Sequence, residues 1–180
     1  MGLFPNTQVG VHRSSNNKTL EVFGEYGVVR QNSRSPIDVS AWLSVEGTNN
    51  LQDNHAPSLG AILSRRFADA AAVYVEPIWV NNTNPLPSAL TQDNSTFVVG
   101  VGARVRIRPT VYLSGEMIPR AAGYKPGVTH AAFAVEKRVG GHLFQLNFSN
   151  SWATTMGQLA RGGFNNDDWF MGFNIARKFY

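Results

Sequence analysis

The sequence predicts an all-β protein: an antiparallel, up-and-down transmembrane β-barrel with about ten strands in a chain of 180 residues. Three observations carry that expectation. Apolar and polar residues alternate over long stretches. The clearest runs from Ser95 to Ile107, where Phe97, Val99, Val101, Ala103, Val105 and Ile107 interleave with Thr96, Val98, Gly100, Gly102, Arg104 and Arg106. A period of two marks a strand with two unlike faces. The strands also run to about eleven residues, the length a tilted strand needs to cross a bilayer and roughly twice the soluble average. Finally, the connections are lopsided: tight at Ala68-Asp69, Arg108-Pro109 and Val139 to Gly141, long at Thr48 to Ala56, Asn81 to Asn94 and Ser151 to Asp167. Outer-membrane barrels place short turns on one side and long loops on the other.

Taken in order, Thr7 to Arg13 alternates weakly around Val9 and Val11, and Ser14 to Asn17 is a polar turn. Lys18 to Arg30 sets Leu20, Val22, Tyr26 and Val28 opposite Glu21, Phe23, Glu25 and Gly27. After Asn32 to Pro36, Ile37, Val39, Ala41, Leu43 and Val45 oppose Asp38, Ser40, Trp42, Ser44 and Glu46. Ser58 to Phe67 and Ala70 to Val80 form the next pair, the latter with Val73, Val75 and Trp79 against Tyr74 and Glu76. The central hairpin breaks at Pro109, which has no N–H to give the ladder. It resumes with Val111, Leu113 and Met117 against Tyr112, Ser114 and Glu116. Val128 to Arg138 and His142 to Asn150 repeat the pattern around the glycine turn, and Asp168 to Tyr180 closes the chain.

Charged residues make up 16% of the chain, against roughly 25% in soluble globular proteins. A soluble β-protein needs a charged outer face, and this chain is short of charge. It has no cysteine, hence neither a disulfide framework nor a thiolate metal site. The net charge of +4 comes from basic residues spread along the chain, dense only from Arg104 to Arg108 and there interleaved with aliphatics. That favours a solvated or lumenal face over a nucleic-acid footprint. No apolar run approaches the ~18 residues of a membrane helix. Gly2 to Pro5 lacks the basic start and apolar core of a signal peptide, which leads to the expectation that the N-terminus is a cut.

The inner face carries the chemistry. Glu46, Glu76, Arg104, Arg106, Glu116, Glu136 and Arg138 share the polar parity, and charge inside a small barrel must be paired or hydrated. Arg104 and Arg106 are expected to face Glu76 and Glu116 across adjacent strands in a lumenal ladder. Such a ladder either fills and neutralises the interior or forms a charged constriction in a pore. His12, His55, His130 and His142 lack metal-ligand spacing, and Gly100-Val101-Gly102 lacks the following helix that a dinucleotide loop requires. No metal or cofactor is therefore expected. An esterase or protease barrel would need a serine and a histidine converging in space. Within Ser151 to Asp167, Thr155 to Gly163 reads as one helical turn ended by glycines, placed either in the lumen as a plug or outside it.

Two resemblances add to this reading. Trp169, Met171, Phe173, Ile175 and Phe179 share one face of the last strand, although Arg177 interrupts that face and Tyr180 lies beyond it. The arrangement resembles the C-terminal signal by which bacterial outer-membrane barrels are recognised for assembly. It implies the barrel assembly machinery and the outer-membrane bilayer as partners. Gln8 to Ser15 (QVGVHRSS) with Lys18-Thr19, then Arg104 to Pro109, then GFNIARKF from Gly172 to Phe179 resemble a bacterial barrel family known as domain of unknown function 5777. That resemblance implies a single barrel domain over 1–180, the C-terminal part of a longer barrel, and supplies no catalytic residues. The expected role is a non-enzymatic outer-membrane barrel, either a narrow pore or a structural one, with any small-molecule ligand unknown. The alternative is a soluble lipocalin-like carrier with its apolar face turned inward.

Overall fold

A computed structural model describes residues 5–84 and 94–177. Nearly every strand pairs with the next in the chain, so the period-two segments become one antiparallel sheet. The first strands are β1 (Thr7–Arg13), β2 (Leu20–Val29) and β3 (Asp38–Gly47), with a short turn, α1 (Thr48–Leu51), after β3 in which Asn49 and Asn50 take left-handed angles. The sheet continues through β4 (Asp53–Phe67), β5 (Ala71–Asn81), β6 (Ser95–Arg108) and β7 (Val111–Ile118). After the short β8 (Arg120–Gly123) come β9 (His130–Val139), β10 (His142–Ser149), the helix α2 (Met156–Ala160) and β11 (Phe170–Arg177).

The path β1-β2-β3-β4-β5-β6-β7-β9-β10-β11 has the ten strands expected. The eleventh, β8, lies off it and pairs with the outer end of β6, Thr96↔Gly123 and Phe97↔Ala122. Its cause is local. Pro119 interrupts β7, whose pairing with β6 stops at Val101↔Met117, and the remaining length of β6 takes β8 instead. Among the described residues β1 and β11 are the two ends of the path and are not hydrogen-bonded to each other. Over the described residues the sheet is a curved path that does not close on itself.

The faces divide as the alternation requires. Leu43, Val75, Val101, Leu113, Val135 and Phe173 are exposed on the convex side. Glu21, Ser44, Glu46, Ser58, His130 and Glu136 are buried on the concave side. A soluble carrier with its aliphatic face inward needs the opposite arrangement, so that alternative does not fit this sheet. Glycine sets the interior spacing at one point: Tyr74 lies across from Gly102, and a Cβ at Gly102 would overlap the Tyr74 ring. The phenol occupies the room that the missing side chain leaves.

Val101 sits between Val75 and Met117 on the convex face and is 40% exposed. Val101→Arg is expected to destabilise the barrel by about 2–4 kcal/mol, the range for a cation at the mid-plane of a lipid-facing barrel surface. The urea midpoint of the barrel refolded in lipid vesicles reads this. An unchanged midpoint would place Val101 away from lipid.

Candidate functional site: the stoppered lumen

The concave face has two storeys, and α2 defines the upper one. In the half nearest the long loops, Ala56, Ile78, Val80, Val98 and Ile118 form a buried apolar cluster with Ala160 of α2. Met156, Leu159 and the inward-facing Trp42 pack against it. Met156, Leu159 and Ala160 stand at i, i+3 and i+4, one face of a helical turn. Ile78, Val80, Val98 and Ile118 lie on the parity that the alternation assigns to the interior. The interior parity therefore holds aliphatic side chains at the long-loop end as well as the charged residues read from the sequence. The upper lumen is apolar where α2 packs into it.

Polar contacts fix the stopper. Glu21 and Glu46 are cross-strand neighbours on β2 and β3, and both are buried. The Gly157 N–H donates to Glu46 Oε2 at 2.8 Å, and the Met156 N–H approaches both Glu21 oxygens at 3.3 and 3.4 Å. The Ser44 hydroxyl donates to Glu21 Oε1 at 2.7 Å. These two carboxylates are thus met by hydrogen-bond donors of the plug and wall. Gln158 Nε2 donates to Thr19 Oγ1 at 3.2 Å, and Arg161 Nε to the Thr83 carbonyl at 2.9 Å. A Cβ at 157 would overlap the Glu46 carboxylate, so a larger residue there must displace it. At the end of the helix, Gly162 has φ +87° and packs against the Val128 carbonyl and Arg120. Arg120 in turn donates to the carbonyls of Arg161 (2.8 Å) and Val128 (3.0 Å). The helical turn read from Thr155 to Gly163 is therefore seated inside the mouth rather than outside it.

Below α2 lies a polar cavity of about 390 Å³, lined in part by Tyr74, Arg104, Ser114, Glu116, Glu136 and Asn147. Register explains its floor. The row Tyr112–Glu136–Gln145–Asn174 runs across four strands, and the row above it is Arg104–Ser114–Ala134–Asn147–Gly172. The small residues in that second row leave Arg104 room to extend.

The anticipated ladder breaks into separate groups. Arg104 pairs with Glu136 at 2.5 Å and stacks over Tyr112, 3.9 Å from the ring centroid. It does not face Glu76 or Glu116. Glu116 accepts from the Tyr74 hydroxyl at 2.8 Å and lies 3.8 Å from His130 Nε2. Glu76 stands opposite Gly100. Glu46 holds α2. Arg106 is exposed at the tight-turn rim, and Arg138 reaches over Tyr112 at 4.8 Å. The reason is reach: strands sit ~4.8 Å apart, and an extended arginine passes over Ser114 on β7 to meet Glu136 on β9. Residue spacing did not reveal Glu21, Gly157 and the apolar cluster as parts of one site, although the parity and the i, i+3, i+4 spacing carried the signal.

One serine and one histidine do converge. Ser151 Oγ lies 3.1 Å from His130 Nδ1, and both residues are 2% exposed. Ser151 Oγ already accepts the Ala153 N–H at 3.2 Å. Glu116, at 3.8 Å from the other ring nitrogen, is beyond hydrogen-bond range. The contact ties the start of the plug segment to the wall at β9. Among the described residues no cluster of three metal-ligating side chains is present. On the last strand, Met171, Phe173 and Ile175 are exposed on the convex face. Trp169 precedes β11 and packs against Phe133 at 5.4 Å, and Phe179 lies outside the described residues.

Residues 1–179 match the family described as "Membrane bound beta barrel domain (DUF5777)". No curated protein and no solved structure matches.

Proposed function

This chain belongs to the DUF5777 family of membrane-bound β-barrel domains, and from that premise we propose a non-enzymatic barrel of the bacterial outer membrane whose narrow lumen is held shut at the long-loop mouth by α2. The observation that carries this reading is the pair of buried carboxylates, Glu21 and Glu46, hydrogen-bonded to the backbone of the plug. Below the plug the lumen stays polar, and the Arg104–Glu136 pair lines the cavity there, as a charged constriction would require. The same pair also suits a purely structural barrel in which charge fills and neutralises space.

Lipid tolerates no unpaired sheet edge, and in this proposal the wall closes beyond the described residues, among which the path runs from β1 to β11. The outward row Trp169, Met171, Phe173 and Ile175 supports delivery by the barrel assembly machinery.

Membrane fractionation of the full-length protein, with heat-modifiable gel mobility, tests the placement. Planar-bilayer recording tests the closed state. The expected results are an outer-membrane fraction, a faster-migrating folded form, and no unitary current at low voltage. Steady open-channel current from the wild type would overturn the stoppered lumen, and recovery in the soluble fraction would overturn the placement.

A further inference from the structure

The sheet sorts its charges by face and by end. In the strands below the long loops, the carboxylates Glu21, Glu25, Asp38, Glu76, Glu116 and Glu136 all stand on the concave parity. Cations do the opposite at the tight-turn end, three of them in line with a convex aliphatic of their own strand. Arg65 follows Leu63 on the convex face of β4, Lys137 follows Val135 on β9, and Arg177 follows Ile175 on β11. Each is exposed, and each lies two residues, ~7 Å along the strand, beyond an aliphatic side chain of the lipid-facing band. Aromatic rings share the level: Arg65 stacks over Phe67 at 5.1 Å, Lys137 is directly opposite Phe144, and Arg177 is opposite His142. Among the described residues, the one carboxylate outside the concave face at this end is Asp69, in the turn between β4 and β5.

A cation with a long aliphatic stem at the edge of an apolar band extends toward the interface and leaves its stem in hydrocarbon. In a bilayer that plane carries the phosphates of the lipid headgroups. We propose that the tight-turn rim is a phospholipid-docking belt, in which Arg65, Lys137 and Arg177 select anionic headgroups in the adjoining leaflet. An anionic solute in the lumen does not fit these positions, because all three project away from it. The lumenal rim has its own cations, Arg106 and Arg138, which provide the control.

The test measures how strongly spin-labelled phosphatidylglycerol and phosphatidylcholine associate with the barrel reconstituted in phosphatidylcholine vesicles. The expected preference for phosphatidylglycerol is about threefold or more at low ionic strength, falling toward one in ~0.5 M salt as screening shortens to a few ångströms. Arg65→Gln/Lys137→Gln/Arg177→Gln is expected to bring the ratio close to one. Lys137→Gln alone should lower it partway, and this single variant serves if the triple one fails to give the folded, heat-modifiable form. Arg106→Gln/Arg138→Gln should leave it unchanged. A wild-type ratio of one overturns the proposal and leaves an acidic protein as the partner to examine. Retention of the preference in the outward variants, or its loss in the lumenal pair, overturns it equally.

Discussion

Glu46→Leu is expected to convert a silent reconstituted barrel into one that passes current. Glu46 is 2% exposed and accepts the Gly157 N–H at 2.8 Å, so leucine removes the acceptor and leaves a buried donor unmatched. A hydrogen bond to a charged group contributes about 1.5–3 kcal/mol, so the population with α2 displaced should rise by roughly ten- to a hundredfold. Glu46→Gln keeps an oxygen acceptor in the same place and should stay mostly closed. Gly157→Val approaches the same outcome from the other partner, since its Cβ would occupy the space of the carboxylate. Recordings in planar bilayers at fixed voltage compare open probability among the three. If Glu46→Leu and Gly157→Val are both as silent as the wild type while folded by gel mobility, α2 is not the barrier.

Arg104→Met is expected to cost the barrel about 3 kcal/mol of stability, the low end of what breaking a buried ion pair does. The low end applies because the Arg104 side chain is 28% exposed, whereas Glu136 is 10% exposed. The loss arises from stranding Glu136 rather than from forfeiting a strong attraction. Arg104→Met/Glu136→Gln should therefore recover most of it, because Gln145 and Ser114 remain beside position 136. The urea midpoint in vesicles reads both variants. A double variant as unstable as the single one would mean that Arg104 acts through its packing on Tyr112 instead.

The wall was legible in the sequence because a barrel writes itself in a period of two. Val99, Val101, Ala103, Val105 and Ile107 announce the lipid face and, by exclusion, the interior. Pairing partners were not legible at that level. Arg104 meets Glu136 two strands away, and the register that brings them together depends on an irregularity between Arg106 and Arg108 that alternation does not encode. The plug was half legible. Its glycines marked a helical turn, but where that turn sits depends on Ile78, Val80, Val98 and Ile118. In sequence those four read as exceptions to a polar face, and in the fold they are its seat. β8 is not legible in the alternation because Pro119 ends β7 before β6 runs out of length to pair.

The connections made by α2 run far along the chain: its residues, borne between β10 and β11, grip Thr19, Glu21 and Glu46 near the other end, 111 to 139 positions away. Such a strut across the bow of the sheet cannot form until both of its anchor points exist, and contacts of large sequence separation are entropically the slowest to make. A newborn barrel should therefore pass through a hollow stage, walls standing and doorway unbarred, before the crosspiece drops into its notch.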